Sequence, residues 1–171
     1  MTLFRTVSCA LALFTLTLQT AMAHDGWRRF VDPAYGTAAS YPAHIFRPQS
    51  ADPARPGRTF LSADGRAKMA IGGWFNADNE SLGAFKRRLL NDGKHDHVTY
   101  QPRGRRWFVL SGYRGGDIYY EKVIYSCGRR VVNAFGISYP VELRWLYDPI
   151  VERMEDSFRA GWQCRRAVPA D

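Results

Sequence analysis

Histidines and cysteines carry most of the reactive side chains in this 171-residue chain, and there are few of either. His95-Asp96-His97 is the one place where two imidazoles stand two residues apart. If a strand begins there, alternate side chains share a face and both rings can take a metal ion. No third ligand stands beside them, and a pair of this kind is as readily the polar edge of a loop. His24 offers a different chemistry. If the chain is cut after Ala23, His24 becomes the amino-terminal residue. Its amine and ring Nδ1 then chelate copper(II), with His44, His95 or His97 completing a planar nitrogen set. Cys127 and Cys164 have no histidine near them in sequence to lower a thiol pKa, which points away from a reactive thiolate. Leu110-Ser111-Gly112 lacks the first glycine of a nucleophile elbow, and Arg114-Gly115-Gly116-Asp117 is followed by neither the lysine nor the helix of a phosphate loop. The carboxylates are dispersed, with Glu152, Glu155 and Asp156 expected on the solvent side of a last helix. No catalytic residue is assigned, and no cofactor is implied beyond the copper alternative.

The first residues bear on compartment. Arg5, an apolar run from Ala10 to Leu18 and the small-x-small site Ala21-Met22-Ala23 read as a secretory signal peptide over residues 1–23. Its apolar core is too short to span a bilayer, and no later stretch is apolar enough to do so. A periplasmic or secreted protein is expected, with residues 24–171 as one domain. In an oxidising compartment Cys127 and Cys164 are expected to pair. Such a bridge closes a loop of about 38 residues and is worth roughly 4 kcal/mol in the chain-entropy picture. The chain carries a net charge of +8, almost all of it arginine in doublets such as Arg28-Arg29, Arg105-Arg106 and Arg129-Arg130. An exported basic protein meets anionic surfaces or other envelope proteins and seldom nucleic acid, although arginines interleave with aromatic residues here.

The elements that must position these residues centre on Trp107 to Pro140. Three β-branched and aromatic runs are divided there by Arg114-Gly115-Gly116-Asp117 and Cys127-Gly128-Arg129, which predicts a three-strand antiparallel meander. Bulk on both alternate sets of the middle run, Ile118, Tyr120 and Ile124 against Tyr119, Val123 and Tyr125, predicts a sheet covered on both faces. Trp27 to Phe46 reads as a first hairpin, Arg47 to Arg58 as a proline-rich loop without regular structure, and Thr59 to Phe75 as a second hairpin turning at Asp64-Gly65. A helix from about Glu80 to Asn91, with N-caps offered by Asn76 to Asn79, presents Leu82, Phe85 and Leu89 as its apolar stripe. His97 to Gln101 reads as another strand. After Pro140 a short segment to Tyr147 precedes a second helix capped by Asp148, with Pro149 at its first position. The tally is an α+β domain with a mostly antiparallel sheet of about seven strands and helices packed on it.

The order of these elements, with Asp32-Pro-Ala-Tyr-Gly36, Ser40-Tyr-Pro42, Tyr139-Pro140 and the closing Met154-Glu-Asp-Ser-Phe158, resembles the PsbP-like α/β/α sandwich superfamily. The resemblance implies a non-enzymatic binding or assembly role and supplies no catalytic residue. His24 at a processed terminus separately resembles the histidine brace of lytic polysaccharide monooxygenases and exported copper carriers. The expectation is therefore an exported, non-catalytic binding or accessory protein of the cell envelope. Its contact surface is expected on a sheet edge or on the rim formed by the loops at Arg47 to Arg58 and at Arg103 to Arg106, with Arg103, Arg105 and Arg106 as the binding residues.

Overall fold

A computed structural model describes residues 26–52 and 56–164. His24 and the expected signal segment lie outside the described residues. The strands are β1 (Trp27–Val31), β2 (Ala38–Pro42), β3 (Phe46–Pro48), β4 (Arg58–Ser62), β5 (Lys68–Phe75), β6 (Val98–Tyr100), β7 (Trp107–Arg114), β8 (Asp117–Ser126) and β9 (Val131–Pro140). The helices are α1 (Leu82–Leu90), between β5 and β6, and α2 (Arg144–Ser157), after β9. Strands β1 and β2 form a hairpin of their own, and the other seven form one antiparallel sheet in the order β3-β4-β5-β9-β8-β7-β6. The architecture is the expected α+β one, with α1 on one face of the large sheet and α2 with the β1–β2 hairpin on the other.

The meander β7-β8-β9 is the centre of the sheet, and its two turns show why. Gly115 and Gly116 both have positive φ, 56° and 92°, which a two-residue turn twisted to match its strands requires. In the second turn Cys127, Gly128 and Arg129 are all left-handed, at 55°, 64° and 76°. Two of these three carry side chains, so the turn is held from outside. Cys127 is bonded to Cys164, and the Asn76 side chain donates to the Arg129 carbonyl at 2.9 Å.

Alternation along the strands builds two cores. Met69, Ile71, Phe135 and Ile137 point toward α2, where Tyr147, Ile150, Val151, Met154 and Phe158 cover them. Phe108, Leu110, Tyr119, Val123, Tyr125 and Val132 point the other way, under Phe85 and Leu89 of α1. Two polar residues, Thr37 and Asn133, are fully enclosed and bonded to each other. Asn133 accepts from the Thr37 hydroxyl at 2.6 Å and the Gly161 amide at 2.7 Å. Its amide donates to Ile124 O and Ser126 Oγ, both at 3.0 Å. It thereby joins the β1–β2 turn, the sheet and the C-terminal tail with no polar capacity wasted.

Several expectations are corrected. The proline-rich stretch is not wholly irregular, because Phe46–Pro48 pairs with β4 as the edge strand and buries Phe46 completely. An edge is where a sheet tolerates Pro48. Ser81 caps α1 through its side chain to the Ala84 amide, while Asn76 holds the segment before it, accepting from the Glu80 amide and donating to the Glu80 and Arg129 carbonyls. The C-terminal segment is one helix with Pro149 inside it, not two helices meeting at Asp148. Asp148 accepts instead from the Tyr139 hydroxyl at 2.8 Å and pairs with Arg144. Glu155 is not a solvent-face acid: it accepts from the Tyr120 hydroxyl and from Lys122 Nζ at 2.6 Å, tying α2 to β8. Burial alone would raise its carboxyl, but these two donors hold it below the usual carboxylate range.

Candidate functional site

The face of the sheet that carries α1 is only half covered. Phe85 and Leu89 of α1 pack over β7, β8 and, through Trp74, one end of β5, and Ala70 and Gly72 of β5 lie outside that cluster. On the uncovered half the side chains are small in every row. Ala70 of β5, Gly136 of β9 and Glu121 of β8 stand opposite one another, and so do Gly72, Ala134 and Val123. The result is a groove of about 410 Å³ floored by Ala70, Gly72, Ala134 and Gly136, with Trp74 at one end. Pro56 lines it, and the adjacent Gly57 packs so closely on β5 that a Cβ there would stand 2.2 Å from the Ile71 carbonyl oxygen, while its φ of +78° also calls for glycine. At the other end lie Lys68, Lys94 and Arg114, all exposed cations.

His95 forms the wall between α1 and the groove. Its side chain is 7% exposed, with Nε2 2.9 Å from Glu121 Oε2 and Nδ1 3.0 Å from the Leu89 carbonyl and 3.2 Å from Asp92 Oδ1. Every one of these partners is an acceptor, so the ring is satisfied only when both nitrogens donate, as in the imidazolium form. Burial pulls its pKa down, but the Glu121 and Asp92 carboxylates outweigh this and raise it above the ordinary histidine value. The Tyr119 ring stands edge-on to it, 5.2 Å between centroids. With both nitrogens committed as donors, His95 is a fixed cation and a structural strut, and it is not placed to take a proton from a substrate.

Of the expected site residues only His95 lines the groove. His95 and His97 do not share a strand face, because β6 begins at Val98 and His97 occupies a left-handed turn position with φ 44°. Among the described residues no three His, Cys, Asp or Glu side chains are grouped to hold a metal ion. His44 is exposed and lies against Gly26: a Cβ at Gly26 would come 2.6 Å from its Nδ1. Arg105 and Arg106 line a separate cavity with Arg129, whereas Arg103 lies outside it, near Lys86. Cys127 and Cys164 are joined. The groove itself was missed, although its signal is in the sequence. Ala70-x-Gly72 and Ala134-x-Gly136-x-Ser138 put small residues at period two in adjacent strands otherwise built of large ones.

No known family profile matches the sequence, and no curated protein matches it. Among solved structures the chain is similar to cyanobacterial PsbP (CyanoP) from Synechocystis, with a TM-score of 0.59, 13% identity, and 85% of this chain and 98% of that one covered. A protein from Bacteroides thetaiotaomicron superposes with a TM-score of 0.49 and 10% identity over 79% of this chain and 48% of that one. Among the described residues no helix is long and apolar enough to cross a membrane. The seven-stranded antiparallel sheet flanked by α1 and α2 is thus a PsbP-like α+β fold.

Proposed function

We propose that this chain is an exported, non-catalytic binding or accessory protein of the cell envelope, and that its groove takes an amphipathic ligand with a negatively charged end. The observation that carries the reading is the floor of Ala70, Gly72, Ala134 and Gly136. Four small residues in the middle of a sheet leave open a face that elsewhere in this molecule is filled with aromatic side chains. Lys68, Lys94 and Arg114 at one end supply the charge preference, and Trp74 supplies apolar surface at the other. His95, held by two carboxylates, keeps the wall rigid. Anilinonaphthalene sulfonate, an apolar ring system bearing one anion, is a suitable probe. Gly136→Val fills the floor without disturbing the fold, because a Cβ there meets only Tyr120 O at 3.7 Å and Glu121 Cγ at 3.9 Å. Saturable fluorescence enhancement in the native protein, weakened about tenfold in Gly136→Val at unchanged melting temperature, is the expected result. Equal binding by both proteins would remove the groove from the function.

A second reading, copper binding through a processed His24, is supported by the position of His44. Gly26 touches the His44 ring, and two residues of chain reach at most about 7 Å. Copper(II) affinity of the protein beginning at His24, compared with His24→Ala and His44→Ala, tests it. Affinities unaffected by either substitution would remove the reading.

A further inference from the structure

At the end of the sheet opposite to the β7–β8 turn, a cavity of about 210 Å³ is lined by Arg105, Arg106, Arg129, Ser126, Tyr125 and Leu82. Three guanidinium groups meet there from two separate pieces of chain: the approach to β7 and the left-handed turn between β8 and β9. None of the three has an acidic partner among the described residues. The nearest acid to the Tyr125 ring, Glu80, is already engaged by Arg88 at 3.0 Å. Leu82 is the first residue of α1, so the positive end of that helix lies on the same wall.

The second observation is the Tyr125 hydroxyl. Tyr125 is 2% exposed, and its hydroxyl is buried without a hydrogen-bond partner. Leaving such a group unpaired costs about 1–3 kcal/mol, and a phenylalanine would fill the same space. Burial, aided by Glu80, pushes the phenol up to about 12, so it is a neutral donor at any physiological pH. A third feature is strain. Cys127 and Arg129 both hold left-handed backbone, φ 55° and 76°, secured by the disulfide and by Asn76. Unfavourable backbone of this kind, over-determined by its surroundings, is a feature of ligand sites.

We propose that this cavity binds a tetrahedral oxyanion, a phosphate or phosphomonoester group, gripped by Arg105, Arg106 and Arg129 and receiving a hydrogen bond from the Tyr125 hydroxyl. Guanidinium groups present paired donors that match two oxygens of such a group at once, and three of them more than neutralise a dianion. The cavity admits one such group and not a length of polymer. The group can come from free phosphate or from a phospholipid headgroup at an anionic surface. The site is separate from the groove, so its fate is independent of the function proposed above.

The test is an NMR titration of the disulfide-intact protein with inorganic phosphate, at ionic strength held constant with sodium chloride. A companion arm measures capture by phosphatidylcholine vesicles with and without phosphatidic acid. The expected result is saturable shifts confined to Leu82, Arg105, Arg106 and the 125–129 segment. The double variant Arg106→Gln, Arg129→Gln weakens binding by about tenfold or more. Tyr125→Phe weakens it severalfold without lowering the melting temperature, since only an unpartnered hydroxyl is lost. Vesicle capture that needs phosphatidic acid and is lost in the double variant identifies the source as a headgroup. Saturation by phosphate without capture identifies a soluble oxyanion. Phosphate shifts that do not saturate, or that the double variant retains, overturn the proposal whatever the vesicles do. Unaltered affinity in Tyr125→Phe overturns the hydroxyl's part in it.

Discussion

His95 shows how much one side chain can be made to carry once three acceptors close around it. Its pKa is raised in the folded state by Glu121 and Asp92 against the opposing effect of burial. The stabilisation it brings is therefore fully present below the unfolded histidine value of about 6.5, and is lost as pH rises through the higher folded value. His95→Gln is expected to destabilise the protein by about 2 kcal/mol near pH 5.5, the worth of charge-assisted hydrogen bonds, and by less above pH 8. Urea denaturation of both proteins across that range checks this. A gap that stays constant with pH would mean that folding does not raise the pKa of the ring. In sequence His95 was visible only as half of a His-x-His pair. That its partners would be a residue of β8, 26 positions away, and the end of α1 depended on how the segment after α1 folds back on the sheet.

At the scale of elements, α2 holds a proline where regular helix has no use for one. Pro149 is the sixth residue of the helix, so it cannot donate to the carbonyl of Trp145. The helix persists because Tyr147, Ile150, Val151 and Met154 are buried against the sheet, and because Glu155 is bound to Tyr120 and Lys122 of β8. Packing here outweighs local propensity, which is why a proline that reads as the start of a second helix lies inside one. Pro149 is exposed, so Pro149→Ala restores a hydrogen bond without touching the core. It is expected to stabilise the protein by about 1–2 kcal/mol, seen as a higher melting temperature. A lower one would mean that the proline is needed to set the direction of the helix. The strands were more legible than the helix boundaries because period-two alternation and paired glycines signal locally. The edge strand Phe46–Pro48 was not legible, since its pairing with β4 is what makes three residues ending in a proline a strand.

The whole molecule is closed by contacts far apart in sequence. The C-terminal tail returns to the β1–β2 hairpin through Ala38 and Arg159, whose amides and carbonyls bond at 2.8 and 3.0 Å, and to the sheet through Asn133 and the Cys127–Cys164 bond. Reduction is expected to cost about 3–4 kcal/mol from the freed loop of the unfolded chain, and it also releases the left-handed turn that bears Arg129. Urea melts with and without reductant measure the first effect, and phosphate titration of the reduced protein measures the second. Undiminished stability after reduction would show that Asn133 and the Ala38–Arg159 pairing hold the tail unaided.

The sequence by itself determined the fold class, the meander, the partnership of the two cysteines and the likeness to PsbP-like proteins. The fold class and the meander rest on patterns that repeat within a dozen residues, the likeness on the order of elements and short phrases along the chain, and the cysteine partnership on setting Cys9 aside with the expected signal segment. Tertiary structure alone decided where the sheet is left uncovered, because that depends on which strands Phe85 and Leu89 of α1 come to pack against. It also decided which arginines converge. Arg105, Arg106 and Arg129 are three of many in a basic chain, and only the antiparallel return of β8 brings the third beside the first two.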